Sequence, residues 1–195
     1  MVERIAIIYG TSEGQTKKIA DHVAQKLERR GPVIDVLDGK KLGDDFDLSA
    51  YSAALIGASI HAGRFPGYIG DLIEDHQSVL QMLPTAFFSV SLLSMFDTGA
   101  EGPTVTERVI DEFLEDCEWE PTVRASFAGA VPFTEYGFFK RWMMKFFLKR
   151  QLDESIDTSK DYEYTDWKAV DDFVEYFESK RSIIVEAEEG VRPRG

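Results

Sequence analysis

The sequence predicts an α/β domain on a doubly wound, five-stranded parallel sheet, with an inserted helical segment between the fifth strand and the last helix. Three observations carry this. Five short apolar or β-branched runs recur along the chain. They lack the strict alternation of half-exposed strands, as strands buried on both faces do. Segments of helical period lie between them, and strands alternating with helices build such a sheet.

The first strand, Ile5 to Tyr9, leads into a helix on which Ile19, Val23 and Leu27 recur at i+4. Val33 to Leu37 is the second strand. The stretch Lys40 to Tyr51 is too rich in Gly and Asp for a helix, and its loss leaves the fold unchanged. Ala53 to Gly57 is the third strand, followed by Ile69, Leu72, Ile73 and Leu80 at helical period. Ala86 to Val90 is the fourth, followed by a helix on which Val109, Phe113 and Leu114 share a face. The fifth strand is expected at Ala125 to Val131. A last amphipathic helix carries Trp167, Val170, Phe173, Val174 and Phe177, with Thr165 or Asp166 as its N-cap. Residues 132–165 far exceed the usual βα connection of roughly 2–6 residues, so a segment is inserted there. These elements make a single domain over 1–181. Residues 182–195 mix charge with Gly and Pro and are expected as a mobile C-terminal tail.

The 195 residues are 44% hydrophobic and 12% aromatic, enough for a core without disulfide or metal staples. Acidic side chains number 35 against 22 basic, a formal charge of −13 that disfavours nucleic acid as a partner. The excess fits a solubilising surface or a salt-rich cytosol equally well. With Cys117 alone, no intrachain disulfide and no cysteine-based metal cluster can form, and a reducing compartment is expected. Cys117 itself reads as a core or helix-end residue. The N-terminal apolar run is too short for a signal peptide, and no run approaches the ~20 residues of a spanning helix. The expected location is cytoplasmic, with room for peripheral contact at the inner face of the cell membrane.

After the first strand comes Gly10-Thr11-Ser12-Glu13-Gly14-Gln15-Thr16. A helix N-terminus offers unpaired N–H groups and the positive end of the dipole, and the hydroxyls of Thr11, Ser12 and Thr16 add donors without charge. This is a phosphate cradle in an acidic protein, with Gly14 for close approach and Gly10 for the turn out of the strand. It lacks both G-x-G-x-x-G and the lysine of a P-loop. A plain hydroxyl cap is the competing reading. The pattern resembles that of the flavodoxins, and the resemblance implies that residues 11–16 hold the phosphate of FMN. Glu13 departs from the Thr often found there; its carboxylate would repel a dianion, so it is expected to point outward and offer only its N–H.

In such sheets ligands sit beyond the carboxyl ends of the strands, near the reversal of strand order. The loops Gly57-Ala58-Ser59-Ile60-His61-Ala62-Gly63-Arg64 and Ser89-Val90-Ser91-Leu92-Leu93-Ser94 should flank a flavin ring, chiefly through backbone groups of Ser59, Ile60, Ala62, Gly63, Ser89, Val90 and Ser91. His61 is the candidate catalytic side chain, able to stabilise a reduced anionic flavin or pass a proton; the alternative is a solvated loop histidine. Neither loop supplies the Trp or Tyr with which flavodoxins commonly cover the ring. G-A-S-I-H-A-G at 57–63, F-F-S-V-S-L at 87–92, A-G-A at 128–130 and Y-T-D-W at 164–167 resemble a narrower family, the flavodoxin-type, menaquinone-dependent protoporphyrinogen oxidases of haem biosynthesis. That likeness runs from about residue 4 to 178 and includes the insertion. It implies a protoporphyrinogen-like substrate, FMN, and a membrane quinone as acceptor.

Residues 137–150, Gly-Phe-Phe-Lys-Arg-Trp-Met-Met-Lys-Phe-Phe-Leu-Lys-Arg, contain no acid in a strongly acidic chain. Arg141, Lys145 and Lys149 recur at i+4 on one face, and Phe139, Trp142, Met143 and Phe146 share the other. A cationic, aromatic helix suits an anionic membrane surface, with Arg141, Trp142, Lys145, Phe146 and Lys149 as membrane or quinone contacts. It equally suits a propionate-bearing porphyrin, and a core-packing helix is the third reading. The competing functions are a diffusible flavodoxin-like electron carrier or a general FMN quinone reductase. A response-regulator receiver is excluded because Ala54-Leu55-Ile56-Gly57 holds no Asp. A low-molecular-weight phosphatase is excluded because the first loop lacks C-x5-R.

Overall fold

The computed structural model describes residues 3–43, 45–92, 94, 103–134, 137 and 157–191. Five parallel strands form its centre: β1 (Arg4–Gly10), β2 (Val33–Asp38), β3 (Ala53–Ser59), β4 (Thr85–Ser91) and β5 (Val123–Ala128), in the order β2-β1-β3-β4-β5. Helices α1 (Gln15–Glu28), α2 (Gly67–Asp75), α3 (Gln77–Leu80), α4 (Val105–Asp116) and α5 (Trp167–Val191) connect or follow them. The stretch expected to lack a helix holds only two short 3-10 turns, Gly39–Lys41 and Leu48–Ala50.

Both faces of the sheet are covered, which is why its strands read as continuous apolar runs. Ile5, Ile7 and Tyr9 of β1 point to one face and pack with Ile19, Val23 and Leu27 of α1 and with Val170, Phe173, Val174 and Phe177 of α5. Ala6 and Ile8 point to the other and meet Ile69 and Ile73 of α2 and Ile110 and Leu114 of α4. Phe87 and Phe88, neighbours on β4, go to opposite faces, and each is fully buried. Full burial of one such ring contributes roughly 2–3 kcal/mol. A capping box closes the start of α4: Thr104 accepts from the Glu107 N–H at 3.1 Å, and the Glu107 carboxylate accepts from the Thr104 N–H at 2.7 Å.

Two expectations need correction. The fifth strand begins at Val123 and breaks at Gly129, and Ala130–Val131 (β6) instead pairs antiparallel with Tyr162–Glu163 (β7). The expected strand was two segments in different sheets, and the second ribbon forms the neck of the insertion. The last helix does not stop at the expected tail but continues to Val191. Glu186, Ala187, Glu188 and Glu189 are good helix formers, and the breakers Gly190 and Pro193 come only after them.

Candidate functional site

The chain leaves β1 in one direction to reach β2 and in the other to reach β3, so the carboxyl ends of β1 and β3 border the crevice where the order reverses. Residues 11–14 cross from β1 to α1 at that point. Gly14 adopts φ 86°, a left-handed backbone that favours glycine, and no atom lies within 4 Å of where a Cβ would stand. Its N–H donates to Thr11 Oγ1 at 2.9 Å. Thr11 therefore braces the loop with an acceptor lone pair and keeps its hydroxyl proton as a donor. Ser12 is exposed, and Glu13, expected to face outward, is half-buried.

Thr16 is 1% exposed, and its Oγ1 has no hydrogen-bond partner; Ser59 Oγ, at the end of β3, is likewise buried without one. Orphaned buried hydroxyls are uncommon because each costs desolvation without return. One in the first turn of α1 and one at the end of β3 fit a polar ligand. The two lysines in the first turn of α1 are already committed. Lys17 pairs with Asp21 at 2.7 Å, and Lys18 pairs with Glu163 at 2.5 Å while lying over the Trp167 ring. The cradle thus offers neutral donors and a helix dipole.

Tyr68 at the start of α2 escaped the sequence reading. Its hydroxyl sits against the Thr11 backbone and would lie 3.1 Å from a Cβ on Gly10. Burial, then the nearby Asp38 carboxylate, push its ionisation above the ordinary tyrosine value, so it presents a neutral hydroxyl beside the cradle. No local pattern marks it, since an aromatic on an amphipathic helix reads as core.

The segment that follows β3 makes a reverse turn. Residues 61–64 form a tight turn in which Ala62 (φ 50°) and Gly63 (φ 75°) both take positive φ, as a type I′ turn requires. His61 and Arg64 exchange backbone hydrogen bonds of 2.9 and 3.1 Å, and the Ile60 N–H reaches the Val90 carbonyl at 2.9 Å. The His61 side chain is exposed on this turn. Phe65 anchors it from behind, 4.4 Å from the Phe113 ring and 5.4 Å from that of Phe87.

The small residues serve a different purpose from the one expected. A Cβ on Gly57 would stand 2.0 Å from Phe88 Cζ, so this glycine makes room for a core ring and gives no access to a ligand. Gly10 makes room for Ile69, 2.7 Å from its hypothetical Cβ. Ser89 and Val90, expected in the second loop, lie inside β4, and so does Ser91. Val90 packs in the core, and the Ser89 hydroxyl donates to Ser126 Oγ at 3.0 Å. Ser126 Oγ also meets Ser94 Oγ at 2.8 Å, tying the chain after β4 to the edge strand. The second loop thus begins at Leu92.

Gln15 has a divided role. Its backbone opens α1, but its side-chain amide donates to Thr165 Oγ1 at 2.8 Å and to Glu163 at 3.3 Å. The contacts proposed from sequence at Arg141, Trp142, Lys145, Phe146 and Lys149 lie outside the described residues. Among the described residues no helix is long and apolar enough to cross a membrane, and no cluster of His, Cys, Asp or Glu is arranged to hold a metal.

With this geometry in place, the family follows from comparison. Residues 6–158 match the flavodoxin domain family. The chain belongs to that family. It is 36% identical over 173 residues to a protein of Leishmania major named protoporphyrinogen IX dehydrogenase [quinone], spanning 88% of this chain and 73% of that one. It is 30% identical over 167 residues to the Escherichia coli K12 protein of the same name, spanning 86% and 90%. The flavodoxin of Streptococcus pneumoniae TIGR4 shares the fold with a TM-score of 0.51 at 14% identity, over 92% of this chain and 98% of that one. Family membership makes this a flavin-binding chain.

Proposed function

We propose that the chain is an FMN-dependent protoporphyrinogen IX dehydrogenase that delivers hydrogens from the tetrapyrrole to a membrane quinone. The observation that carries the site is the pair of orphaned hydroxyls, Thr16 Oγ1 in the first turn of α1 and Ser59 Oγ at the end of β3, at a helix N-terminus whose own lysines, Lys17 and Lys18, are already paired. The reaction is supported by two relatives that match nearly the whole chain.

The N–H groups of Ser12, Glu13, Gln15 and Thr16 and the hydroxyls of Thr11, Ser12 and Thr16 would hold the FMN phosphate, and Tyr68 closes the far side of the loop. Residues 59–63 would meet the polar edge of the ring through main-chain groups, fixed in place by the 61–64 turn. When bound, the flavin supplies the redox chemistry, taking hydrogens from the porphyrinogen and giving them to the quinone. His61, on the exposed shoulder of that turn, would tune the potential or move a proton at an imidazole nitrogen. The acid-free aromatic stretch at 138–150 would dock an anionic membrane surface where quinone is found.

The test is an anaerobic assay of FMN-loaded protein with protoporphyrinogen and a menaquinone analogue. Porphyrin fluorescence should rise only when protein and quinone are both present. Quinone reduction with a nicotinamide donor but none with protoporphyrinogen would establish the general quinone reductase instead.

A further inference from the structure

One side of α1 is taken up, turn by turn, by a stretch of chain nearly 150 residues away. Gln15, Lys18 and His22 stand at i, i+3 and i+7, a single stripe on a helix of 3.6 residues per turn. They meet Thr165 and Glu163, then Glu163 and Trp167, then Trp167 and Asp171. Glu163 and Thr165 alternate, as side chains on one face of an extended segment do, and Trp167 and Asp171 follow in the first turns of α5, so the chain leaving the neck runs along the stripe. The Y-T-D-W motif is the middle of this seam. At its head lies the phosphate cradle.

We propose that Thr165 is a positioning residue for that cradle, rigidly joining the neck of the insertion to the first turn of α1. Its hydroxyl is the join: it accepts from the Gln15 amide at 2.8 Å and donates to the Ala128 carbonyl at 2.7 Å, where β5 ends. The residue is only 9% exposed, and both hydroxyl contacts are made at short distance. Gln15 is the first residue of α1, next to Gly14, whose left-handed backbone aims the loop's N–H groups. From within, the loop is braced where Thr11 Oγ1 accepts from the Gly14 N–H. Fixing Gln15 from outside therefore fixes where the N–H groups of Gln15 and Thr16 point. Preorganised donors bind a phosphate better because no ordering cost falls on the binding step.

This inference rests on the cradle holding the FMN phosphate, and riboflavin, which has the ring but no phosphate, separates the two. Dissociation constants for FMN and riboflavin are read from quenching of flavin fluorescence. Wild type should bind FMN far more tightly than riboflavin. Thr165→Val should lose about three- to ten-fold in FMN affinity, the worth of one buried hydrogen bond. Its riboflavin affinity should stay at the wild-type value, and Thr165→Ser should restore FMN binding. Gln15→Leu, at a half-buried position, provides the same test if Thr165→Val does not fold: it should reproduce the phosphate-specific loss, and the double variant should add nothing. Equal losses for FMN and riboflavin, or no loss of either, would overturn the role of Thr165. Wild type that fails to distinguish FMN from riboflavin would overturn the cradle itself, and this inference with it.

Discussion

The phosphate-side loop at 11–14 and the ring-side turn at 61–64 both pass through left-handed backbone, and they are held by opposite means. The turn closes on itself. Its two backbone bonds lie between His61 and Arg64, and what surrounds them is close in sequence: Ile60 is tied main chain to main chain to Val90, and Phe65 packs on Phe87 and Phe113. The phosphate loop is braced from within where Thr11 accepts from the Gly14 N–H, and it takes further support from Gln15, whose amide is fixed by Thr165. Local geometry can shape a loop that presents carbonyls and N–H groups to a flat ring. A loop that must converge several donors on one small anion needs a fixed helix start, and here a distant segment supplies it.

Two glycines, one on each side, show how differently the same residue can be required. Gly57 has an ordinary φ but a phenyl ring 2.0 Å from its missing Cβ, whereas Gly14 has open space and φ 86°. Gly57→Ala should give the largest effect in the molecule. Phe88 is fully buried and cannot swing away without displacing Phe127 and Phe173, whose rings stand 6.0 Å from its own. Overpacking of this kind costs about 3 kcal/mol or more. The midpoint of thermal unfolding should fall by well over 5 °C whether or not flavin is present.

Gly14→Val should reverse that signature. The fold has room for the side chain, so the apoprotein should unfold within a few degrees of wild type. A β-branched residue resists the left-handed region by roughly 1–2 kcal/mol, and a loop that relaxes out of it no longer converges its N–H groups. FMN binding should weaken at least ten-fold. An apoprotein destabilised as much as Gly57→Ala would show that both glycines are structural.

These two positions also mark what the sequence makes legible. Alternation of strand and helix gave the doubly wound sheet, because burial on both faces leaves an apolar run that composition records directly. The hydroxyl-rich 11–16 segment was readable because its donors are neighbours in the chain. The reason for Gly57 was not, since it depends on which way Phe88 turns on the next strand, a matter of register. Nor was the break at Gly129: Ala125 to Val131 reads as one apolar run, and only the partner at Tyr162 reveals that its end belongs to another ribbon. Gln15 and Thr165, 150 positions apart, lay outside any local window.

Acid should act on the braced side and spare the self-contained one. Burial alone would raise the Glu163 carboxyl, but hydrogen bonds from Lys18 and Gln15 outweigh it and hold the group below its ordinary value of 4.5. Asp171 is held below 3.8 by Lys26 and then by His22. A carboxyl whose folded value is depressed contributes stability above its unfolded value and loses it as the pH falls through the folded one. The seam along α1 should therefore keep its ion pairs at neutral pH and lose them progressively below about pH 4.5. Glu163 is a third exposed, and such a pair contributes under about 1 kcal/mol. Glu163→Gln should lower the unfolding midpoint by a degree or two at pH 7, and the gap should shrink as the pH falls below about 4.5. A difference that does not shrink on acidification would mean that the glutamate acts through packing and not through charge.

The smallest effect belongs to the turn and has the opposite sign. Ala62 holds φ 50° in a position where a type I′ turn favours Asn, Asp or Gly, and its side chain is exposed, so nothing packed depends on it. Left-handed backbone costs a residue with a Cβ about 1–2 kcal/mol. Glycine removes that cost but adds roughly 0.5–1 kcal/mol of chain entropy to the unfolded state. The balance favours Ala62→Gly by up to about 1 kcal/mol, a rise of a few degrees or less in the unfolding midpoint for a chain of this size. Because the change leaves the His61 to Arg64 hydrogen bonds in place, flavin affinity should remain at the wild-type value. A fall in the midpoint would show that the turn does not hold itself, and that the ring side, like the phosphate side, is shaped by something beyond its own four residues.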